Sequence, residues 1–468
     1  MAIESAFDIA PRVTPALHRT FLPGAVWNRA YRERVSAAES EPLALALHRP
    51  NGNVSVLHTR ILRQTPETRA LNQRYAERLL KFLLWQRGGH RVTVAGNGEI
   101  ACWLAGVYSA EGARAFDFEF MGERVYRAPF EIAWVPYEKC PAQHESANPL
   151  GRHRDGCRIG FDLGGSDRKS TAMIDGEVVF SEEVVWNPYF ESDPEYHYKG
   201  VDDTLRRAAA HLPRVDAIGG SAAGVYVDNE VRVASLFRGI NPENFDQHVR
   251  RMFFRLQEAW GGVPFVVVND GEVAALAGSM ALNDNAVLGV SMGTSQAGGY
   301  VTPEGNITDW LNELAFVPID YATDAPVDEW SGDGGVGAQY FSQQAVARLL
   351  PEAGIDVPKE MPLAERLVRT QQLMSAGDER ARAIYETVGV YLGYGVAQYA
   401  DFYDLRHVLV MGRVTTGEGG NVILDFAHRV LEADFPQLAS RVKVELPGEQ
   451  DKRHGQAAAA ATLPQIKS

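Results

Sequence analysis

Cysteine is scarce in this chain of 468 residues: there are three, Cys102, Cys140 and Cys157, and they are widely separated. Their spacing offers no CxxC pair of the kind that binds zinc and no framework of paired cysteines for disulfide bonds. Hydrophobic runs are also short, and none approaches the roughly 20 residues that a membrane-spanning helix needs. These absences argue against a disulfide-rich secreted protein and against a membrane protein.

We expect no secretory signal, because the first eight residues lack the basic and then apolar layout of a signal peptide. Together with the few cysteines, this predicts a protein of the reducing cytoplasm. The composition, with 45% hydrophobic and 23% charged residues, is ordinary for a globular protein. At this length we expect two or three domains with ample material for their cores.

Positive charge is in short supply over most of the chain. The net charge is -14; residues 1–157 carry 20 basic and 16 acidic residues, so the remainder carries -18. Duplex nucleic acid needs an extended basic surface, which such an acidic main body does not provide. We therefore expect no nucleic-acid partner and no membrane partner.

Several standard catalytic motifs are absent or misplaced. Walker A and HExxH do not occur. Gly289–Gly293 fits GxSxG, but the residues that follow are glycine-rich and strand-like, whereas a nucleophile elbow needs a helix there. Gly332–Gly337 fits GxGxxG, but no buried strand precedes it, so the match is poor evidence for a dinucleotide site. Neither motif identifies a function.

The predicted secondary structure divides the chain into an N-terminal segment and an α/β body. Residues 1–40 read as an irregular arm, and 66–87 as a helix that Gly88-Gly89 ends. Residues 92–103 read as a hairpin around Asn97-Gly98, and 116–132 as a second hairpin. We expect an α+β module of unknown role at 1–150, a first lobe at 158–284, and a second lobe at 285–468. The alanine-rich tail predicts a terminal helix that returns to the first lobe as one option.

Three apolar strands of the body end in acidic or small residues. The first, 158–163, reaches Asp162 and then Gly164-Gly165-Ser166; the second ends at Asn269-Asp270. The third begins at Val287 and runs into a glycine-rich segment that contains Gly293, Thr294, Gly298 and Gly299. Glycine lets main-chain N–H groups approach phosphate oxygens, and an acid at a strand end can hold a metal or accept a proton.

These strand ends favour phosphoryl transfer in a nucleotide cleft between two lobes. Asp162 could hold Mg²⁺ through water, because magnesium keeps much of its hydration. The glycine-rich turns would line the phosphates, and Asp270 could accept the proton of an attacking hydroxyl group. The alternative reading of each motif taken alone is structural: a turn after a strand, or an N-cap before a helix.

Residues 158–461 resemble a ROK-family sugar kinase of the actin-like (sugar kinase/Hsp70, ribonuclease H-like) ATPase fold. Asp162–Ser166 resembles the family's DxGGT phosphate motif, Asn269–Ala275 its NDANAAA motif, and Gly293–Gly299 its GTGxGGG motif. The segments 376–395 and 408–412 resemble its AGD…LGxG helices and its adenosine-side strand, in the same order. The resemblance implies an α/β two-lobed fold, preceded here by the smaller N-terminal module.

The resemblance also implies roles for particular residues. Asp270 is the expected catalytic base, with Asn269 and Glu313 orienting the acceptor. The nucleotide and its phosphates are expected at Asp162, Gly164, Gly165, Ser166, Lys169, Gly293, Thr294, Gly298, Gly299, Gly412 and Arg413. The cofactors would be ATP and Mg²⁺, and the acceptor a small sugar-like molecule; the oligomeric state stays open, with a homodimer as one option.

The sequence departs from the family pattern at the acceptor and at the phosphate loop. The family's ExGH histidine is Phe316, its zinc cysteines are Ser331 and Val336, and a sugar-contacting glutamate is Ala338. No thiolate ligand remains, so no zinc site is expected. Asp167 stands where a lysine is usual and would repel phosphate unless a cation offsets it.

The expected function is ATP-dependent phosphorylation of a hydroxyl group on a small sugar or sugar-like substrate. The alternative is a non-catalytic sensor of sugar or nucleotide on the same fold, which the altered acceptor residues favour. A ROK-type DNA-binding repressor is a further class, but it needs a basic recognition helix ahead of the body. The 66–87 helix, followed by hairpin-like segments, matches that poorly.

Overall fold

The structure of the protein is a computed structural model, which describes residues 7, 11–145, 150–448 and 455–466. Its strands are β1 (Ser40–His48), β2 (Val54–Leu62), β3 (Arg91–Ala95), β4 (Glu131–Val135), β5 (Cys157–Leu163), β6 (Asp167–Ile174), β7 (Glu177–Val185), β8 (Ala217–Ala222), β9 (Val225–Val227), β10 (Glu230–Val233), β11 (Phe265–Asn269), β12 (Val287–Met292), β13 (Gln296–Val301), β14 (His407–Met411) and β15 (Lys443–Glu445).

The helices alternate with these strands in the body of the chain. They are α1 (Gly24–Ser36), α2 (Arg69–Arg87), α3 (Gly98–Val107), α4 (Ala115–Glu119), α5 (Pro194–Ala209), α6 (Pro242–Asn244), α7 (Met252–Ala259), α8 (Asp270–Leu282), α9 (Gln343–Glu352), α10 (Leu363–Ser375), α11 (Glu379–Tyr399), α12 (Glu418–Asp434), α13 (Pro436–Ala439) and α14 (Gly455–Ala461). Within the described ranges, no helix combines the length and the apolar character needed to span a bilayer.

The chain forms two compact units. Unit 1 comprises Met1–Ser146, Val290–Gly298 and Trp310–Leu446, and unit 2 comprises Ala147–Gly289, Gly299–Asp309 and Pro447–Ser468. The N-terminal segment is thus part of unit 1, and the terminal helix α14 is part of unit 2. The division into 1–150, 158–284 and 285–468 stays a prediction about separate domains.

Unit 2 is built on a five-stranded sheet with the strand order β11-β8-β5-β6-β7. Strands β5, β6 and β7 are antiparallel, whereas β8 and β11 run parallel to β5. A parallel neighbour needs a crossover, and the helices α5 and α7 lie in those connections. Their apolar faces pack on the sheet, with Phe161, Leu205 and Phe253 among the buried core side chains.

Helix α14 lies on one face of this sheet at very short range. Gly160 of β5 and Gly219 of β8 are paired neighbours, and a Cβ atom on either would overlap a main-chain oxygen, of Ala457 and Ala460 respectively. The alanine run of the tail therefore serves close packing: small residues on both sides let the helix touch the sheet backbone.

Gly219→Ala should lower the free energy of unfolding by ~1–3 kcal/mol, because the added methyl group must push α14 off the sheet. Gly106→Ala is the matched control, since a Cβ at Gly106 meets open space in helix α3 and alanine there is worth about 0.5–1 kcal/mol. Denaturant unfolding of both variants measures the difference; equal effects would contradict the packing argument.

Unit 1 contains a four-stranded sheet from the N-terminal segment, with the order β2-β1-β3-β4. Helix α2 packs on β1 and β2, and its described boundaries, Arg69–Arg87 with Gly88 as the C-cap, confirm the predicted helix. Strands β12 to β15 form a second sheet with the order β13-β12-β14-β15. The division between the units falls within β12 and β13.

Three predictions for the N-terminal segment were wrong. Residues 24–36 of the expected irregular arm (1–40) form a helix, while residues 1–6 and 8–10 of that arm lie outside the described residues. Asn97 does not turn a hairpin; its side chain caps helix α3 by accepting from the N–H groups of Glu99 and Ile100. Residues 115–126 are helical, and only Glu131–Val135 of the second expected hairpin is a strand.

Candidate functional site

Asp162 lies near the end of β5, the central strand of the unit 2 sheet, and every residue of that strand is buried. Its neighbour in the parallel register is Ser221 of β8, whose hydroxyl group donates to Asp162 Oδ1 over 2.6 Å. Burial raises the pKa of Asp162, and the hydrogen bond from Ser221 and the charge of Lys169 partly oppose that rise. The sequence motifs did not single out Ser221, which only the strand register places here.

Lys169 lies opposite Asp162 on the antiparallel strand β6. Its ammonium group is 3.8 Å from Asp162 Oδ2 and 3.4 Å from Asp167 Oδ1. Asp167, the unusual acid of the predicted phosphate motif, is therefore paired with a cation on its own strand. This is the offset that a phosphate-binding role for the loop requires.

Hydrogen bonds from Trp186 to main-chain carbonyl groups hold the turn between β5 and β6 in place. The indole N–H of Trp186 donates to the oxygen of Gly164, and the main-chain N–H of Trp186 donates to the oxygen of Ser166. The N–H groups of Gly165 and Ser166 make no hydrogen bond within the described part of the chain. A Cβ at Gly165 would overlap the hydroxyl group of Tyr189, so a larger residue there would have to displace that ring. The turn presents free N–H donors on a fixed backbone, which suits an anion.

Asp270 is the first residue of helix α8 and directly follows strand β11. Asn269 is the N-cap: its side chain accepts from the N–H of Gly271 and donates to the oxygen of Gly224. Asp270 Oδ1 also accepts from the N–H of Gly271, at 3.0 Å. The strand end and the cap thus fix the position of the Asp270 carboxyl group, which keeps a partial opening to solvent.

The carboxyl groups of Asp270 and Asp162 belong to one electrostatic site. Dense surroundings, and secondarily the negative charge of Asp162, raise the pKa of Asp270 to about 6. Burial also raises the pKa of Tyr226, and the charge of Asp270 adds to that rise. A carboxyl group with a pKa close to neutral is suited to exchange protons at physiological pH.

The remaining glycines of the predicted phosphate segment are placed differently. Gly293 and Thr294 lie at the tip of the β12-β13 turn in unit 1, and Thr294 is exposed. Gly298, in unit 1, leaves no room for a Cβ beside Leu314. Gly299, in unit 2, is equally confined, by the main-chain oxygen of Gly271. Gly298 and Gly299 therefore have a packing reason to be glycine.

Gly412 and Arg413 lie together in unit 1, after strand β14. Gly412 has φ 102°, in the left-handed region that favours glycine, and its oxygen accepts from Thr415. Arg413 begins a short 3-10 turn, and its side chain is exposed. Both remain proposals as adenosine-side residues.

Glu313 lies in unit 1 beside a cluster of aromatic rings. Its N–H donates to the oxygen of Trp85 in helix α2, and a 3-10 turn carries the chain on to Phe316. The Phe316 ring lies 4.3 Å from that of Trp85 and 5.3 Å from that of Trp330, which is 53% exposed. Where the resemblance implies a histidine, this chain has Phe316 in an aromatic cluster to which Trp85 of helix α2 contributes.

Ion pairs and hydrogen bonds of two aspartates hold the loop at 328–336 in place. Asp328 accepts from the N–H and the hydroxyl group of Ser331. Asp333 forms ion pairs with Lys81 of helix α2 and with Arg114. Lys81 is fully buried and also pairs with Asp117 at 2.8 Å. Ion pairs to the N-terminal segment thus fix a loop that, by resemblance, a zinc ion would hold.

Among the described residues, no cluster of three or more histidine, cysteine or acidic side chains could hold a metal ion by itself. Asp162 offers one carboxylate, with Ser221 on Oδ1 and a distant Lys169 near Oδ2. That fits a hydrated Mg²⁺ shared with phosphate oxygens, because magnesium is usually bound through one or two carboxylates and several waters. The absence of zinc stays a prediction.

No protein-family model and no curated protein matches the chain. Solved structures do resemble it. A ROK hexokinase from Thermus thermophilus is 20% identical, with a TM-score of 0.51 over 66% of this chain and 97% of that chain. A ROK glucokinase from Streptomyces griseus, solved with glucose and AMPPNP, is 20% identical over 65% and 98%, with a TM-score of 0.48.

A ROK-family transcriptional regulator, a homologue of the E. coli MLC protein, is 17% identical, with a TM-score of 0.47 over 69% of this chain and 81% of that chain. At these identities the likeness concerns the fold. The predicted α/β class and actin-like (ribonuclease H-like) ATPase fold are confirmed. The chain therefore has the fold of the ROK sugar kinases, as its motifs led us to expect.

Proposed function

We propose that the protein transfers the terminal phosphoryl group of Mg·ATP to a hydroxyl group of a small sugar or sugar-like molecule. The observation that carries this proposal is the pair of Asp162 and Asp270 in unit 2. One carboxyl group stands beside a turn with free N–H donors, and the other stands at a helix start with a raised pKa. The fold shared with the Thermus thermophilus ROK hexokinase supports it.

Asp270 is the proposed general base. Ionised, it would take the proton of the acceptor hydroxyl group as that oxygen attacks phosphorus. The side-chain amide of Asn269 keeps one N–H beyond the bond to Gly224. That N–H could orient the acceptor, with Glu313 as a second proposed contact.

Charge on the transferring group would be balanced by main-chain and side-chain donors. The N–H groups of Gly165 and Ser166, with the Lys169 ammonium group, are the proposed contacts of unit 2. Asp162 would hold hydrated Mg²⁺, which supplies Lewis-acid polarisation of the phosphates when bound. Gly293, Thr294, Gly298, Gly299, Gly412 and Arg413 remain the further proposed nucleotide residues.

The acceptor need not be a hexose. Phe316 replaces the histidine that the resemblance associates with sugar hydroxyl groups, and the half-exposed Trp330 extends the aromatic surface. Aromatic faces pack against the apolar face of a ring. A substrate screen should therefore include sugar derivatives with apolar or aromatic substituents beside the free sugars.

The pH dependence of kcat/KM should follow Asp270. The base works when ionised, and its pKa is raised to about 6. Activity should therefore be low under acidic conditions, rise through about pH 6 and level off above it. Initial rates across buffers of constant ionic strength measure this; a rate that stays level between pH 5 and 7 contradicts the assignment.

The proposed function is tested by measuring ADP release with and without each acceptor of the screen. We expect release that depends on one class of acceptor and on Mg²⁺. ATP binding without acceptor-dependent release would instead support the alternative, a non-catalytic sensor, which the replacement by Phe316 and Ala338 favours. Calorimetry with AMPPNP and the same acceptors separates binding from turnover.

A further inference from the structure

Gln456, in the first turn of the terminal helix α14, reaches the centre of the unit 2 site. Its side-chain N–H₂ group donates to Ser221 Oγ over 3.1 Å and to the main-chain oxygen of Asp270 over 2.9 Å. Both N–H hydrogens of one amide are thereby used on two different elements, strand β8 and helix α8. No sequence motif marks Gln456.

The direction of these bonds matters. Because Gln456 donates to Ser221, the Ser221 hydroxyl group is free to donate its own hydrogen to Asp162 Oδ1, over 2.6 Å. A chain of donors therefore runs from the amide through the hydroxyl group to the carboxylate. Hydrogen bonds in series polarise one another and strengthen the last one, which here ends on a charge.

The amide is held where it is by the packing of α14. Gly160 and Gly219 let the helix touch the sheet, as described above. Beyond the helix, the guanidinium group of Arg158 donates to the oxygen of Pro464 at 2.7 Å, and Leu463 is fully buried. These contacts fix helix α14 against the sheet, and the position of Gln456 is fixed with it.

We infer that Gln456 is a positioning residue that orients Asp162 through Ser221 and fixes the start of the helix that carries Asp270. This inference rests on the proposed function, in which those two carboxyl groups do the work. Residues that orient a carboxylate from behind typically change metal affinity or activity by ~10–100-fold when removed. We expect Gln456 to have an effect of that size.

Gln456→Leu keeps the size of the side chain and removes both donors. We expect kcat to fall by ~10–100-fold with KM for the acceptor little changed, and the Mg²⁺ concentration for half-maximal AMPPNP binding to rise by about tenfold. Gln465→Leu, an exposed position of the same terminal segment, is the matched control and should leave kcat and Mg²⁺ dependence unchanged. Kinetics, calorimetry and Tm are measured on all three proteins.

A double-mutant cycle with Ser221→Ala separates positioning from general stability. If Gln456 acts on Asp162 through Ser221, the double variant should lose less activity than the product of the two single losses, because both variants break the same chain of donors. Additive losses, unchanged kcat and Mg²⁺ dependence in Gln456→Leu, or a loss explained entirely by a lower fraction of folded protein would each overturn the inference. A wild-type protein that binds Mg·AMPPNP but transfers no phosphoryl group would contradict the proposed function. The Mg²⁺ dependence of AMPPNP binding by Gln456→Leu would still test the role of Gln456.

Discussion

Asp270→Asn should lower kcat by ~10²–10⁴-fold, the usual contribution of a general base. Asparagine has the same shape and can still accept from Gly271, but it cannot take a proton. AMPPNP binding should be largely unchanged. Rates at saturating ATP and acceptor, with calorimetry for binding, measure the two effects separately.

The matched control is Asp193→Asn. Asp193 is also an acid at a helix start of unit 2, where its side chain caps α5 by accepting from the N–H of Glu195. Asparagine caps a helix as well as aspartate does, so this variant should keep full activity. Near-full activity of Asp270→Asn would contradict its role as the base.

Asp270→Asn should also leave stability intact or raise it. The folded-state pKa of Asp270 lies above the ordinary value, at about 6, so the folded state binds the proton more tightly than the unfolded state does. Stability contributed by this group is present at low pH and is lost as pH rises from about 4 to about 6. A neutral amide avoids that loss, as expected where function rather than stability selects the residue.

Lys81→Met should lower the free energy of unfolding by ~3–5 kcal/mol, the range for breaking a buried ion pair from one side. Lys81 is fully buried and pairs with both Asp117 and Asp333. Removing its charge leaves two buried acids with fewer partners, although Trp85 and Arg114 remain bonded to them. Denaturant unfolding measures the loss.

Lys443→Met is the control for this variant, because Lys443 is an exposed lysine of the same unit. Its replacement should change the unfolding free energy by no more than about 0.5 kcal/mol. An equal, small effect of both variants would show that the Lys81 cluster does not anchor the loop at 328–336.

The strands that carry Asp162 and Asp270 could be predicted because short stretches of sequence indicate them. A continuous apolar run before Asp162 and another before Asp270 each predict a strand without long-range information. The structure gives these strands as β5 and β11.

The secondary structure of the N-terminal segment was harder to predict, because its sequence patterns fit two kinds of element equally well. Asn followed by Gly starts a hairpin turn or caps a helix, and only Leu104, buried one turn beyond Ile100, distinguishes them here. The alternating run at Phe116–Phe120 is typical of a strand. Aromatic packing on Trp85 and Phe316 instead makes it helical, a tertiary effect that overrides propensity.

The site showed the same limit. Asp162 and Asp270 were proposed from strand ends, whereas the contacts of Ser221 and Gln456 depend on strand register and on the distant terminal helix. Nothing in the residues near position 456 indicates a polar contact. Gly298 and Gly299 were read as phosphate donors, and the structure adds a packing constraint that no sequence motif distinguishes from that role.

Phosphoryl transfer with Asp270 as the base is tested most directly by phosphorus NMR of a reaction mixture containing the protein, Mg²⁺, ATP and an acceptor that stimulates ADP release. This mechanism predicts a new phosphate-monoester resonance that grows as ADP appears, is absent without acceptor, and is lost with Asp270→Asn. ADP accompanied only by inorganic phosphate, or an ester formed equally well by Asp270→Asn, would contradict it.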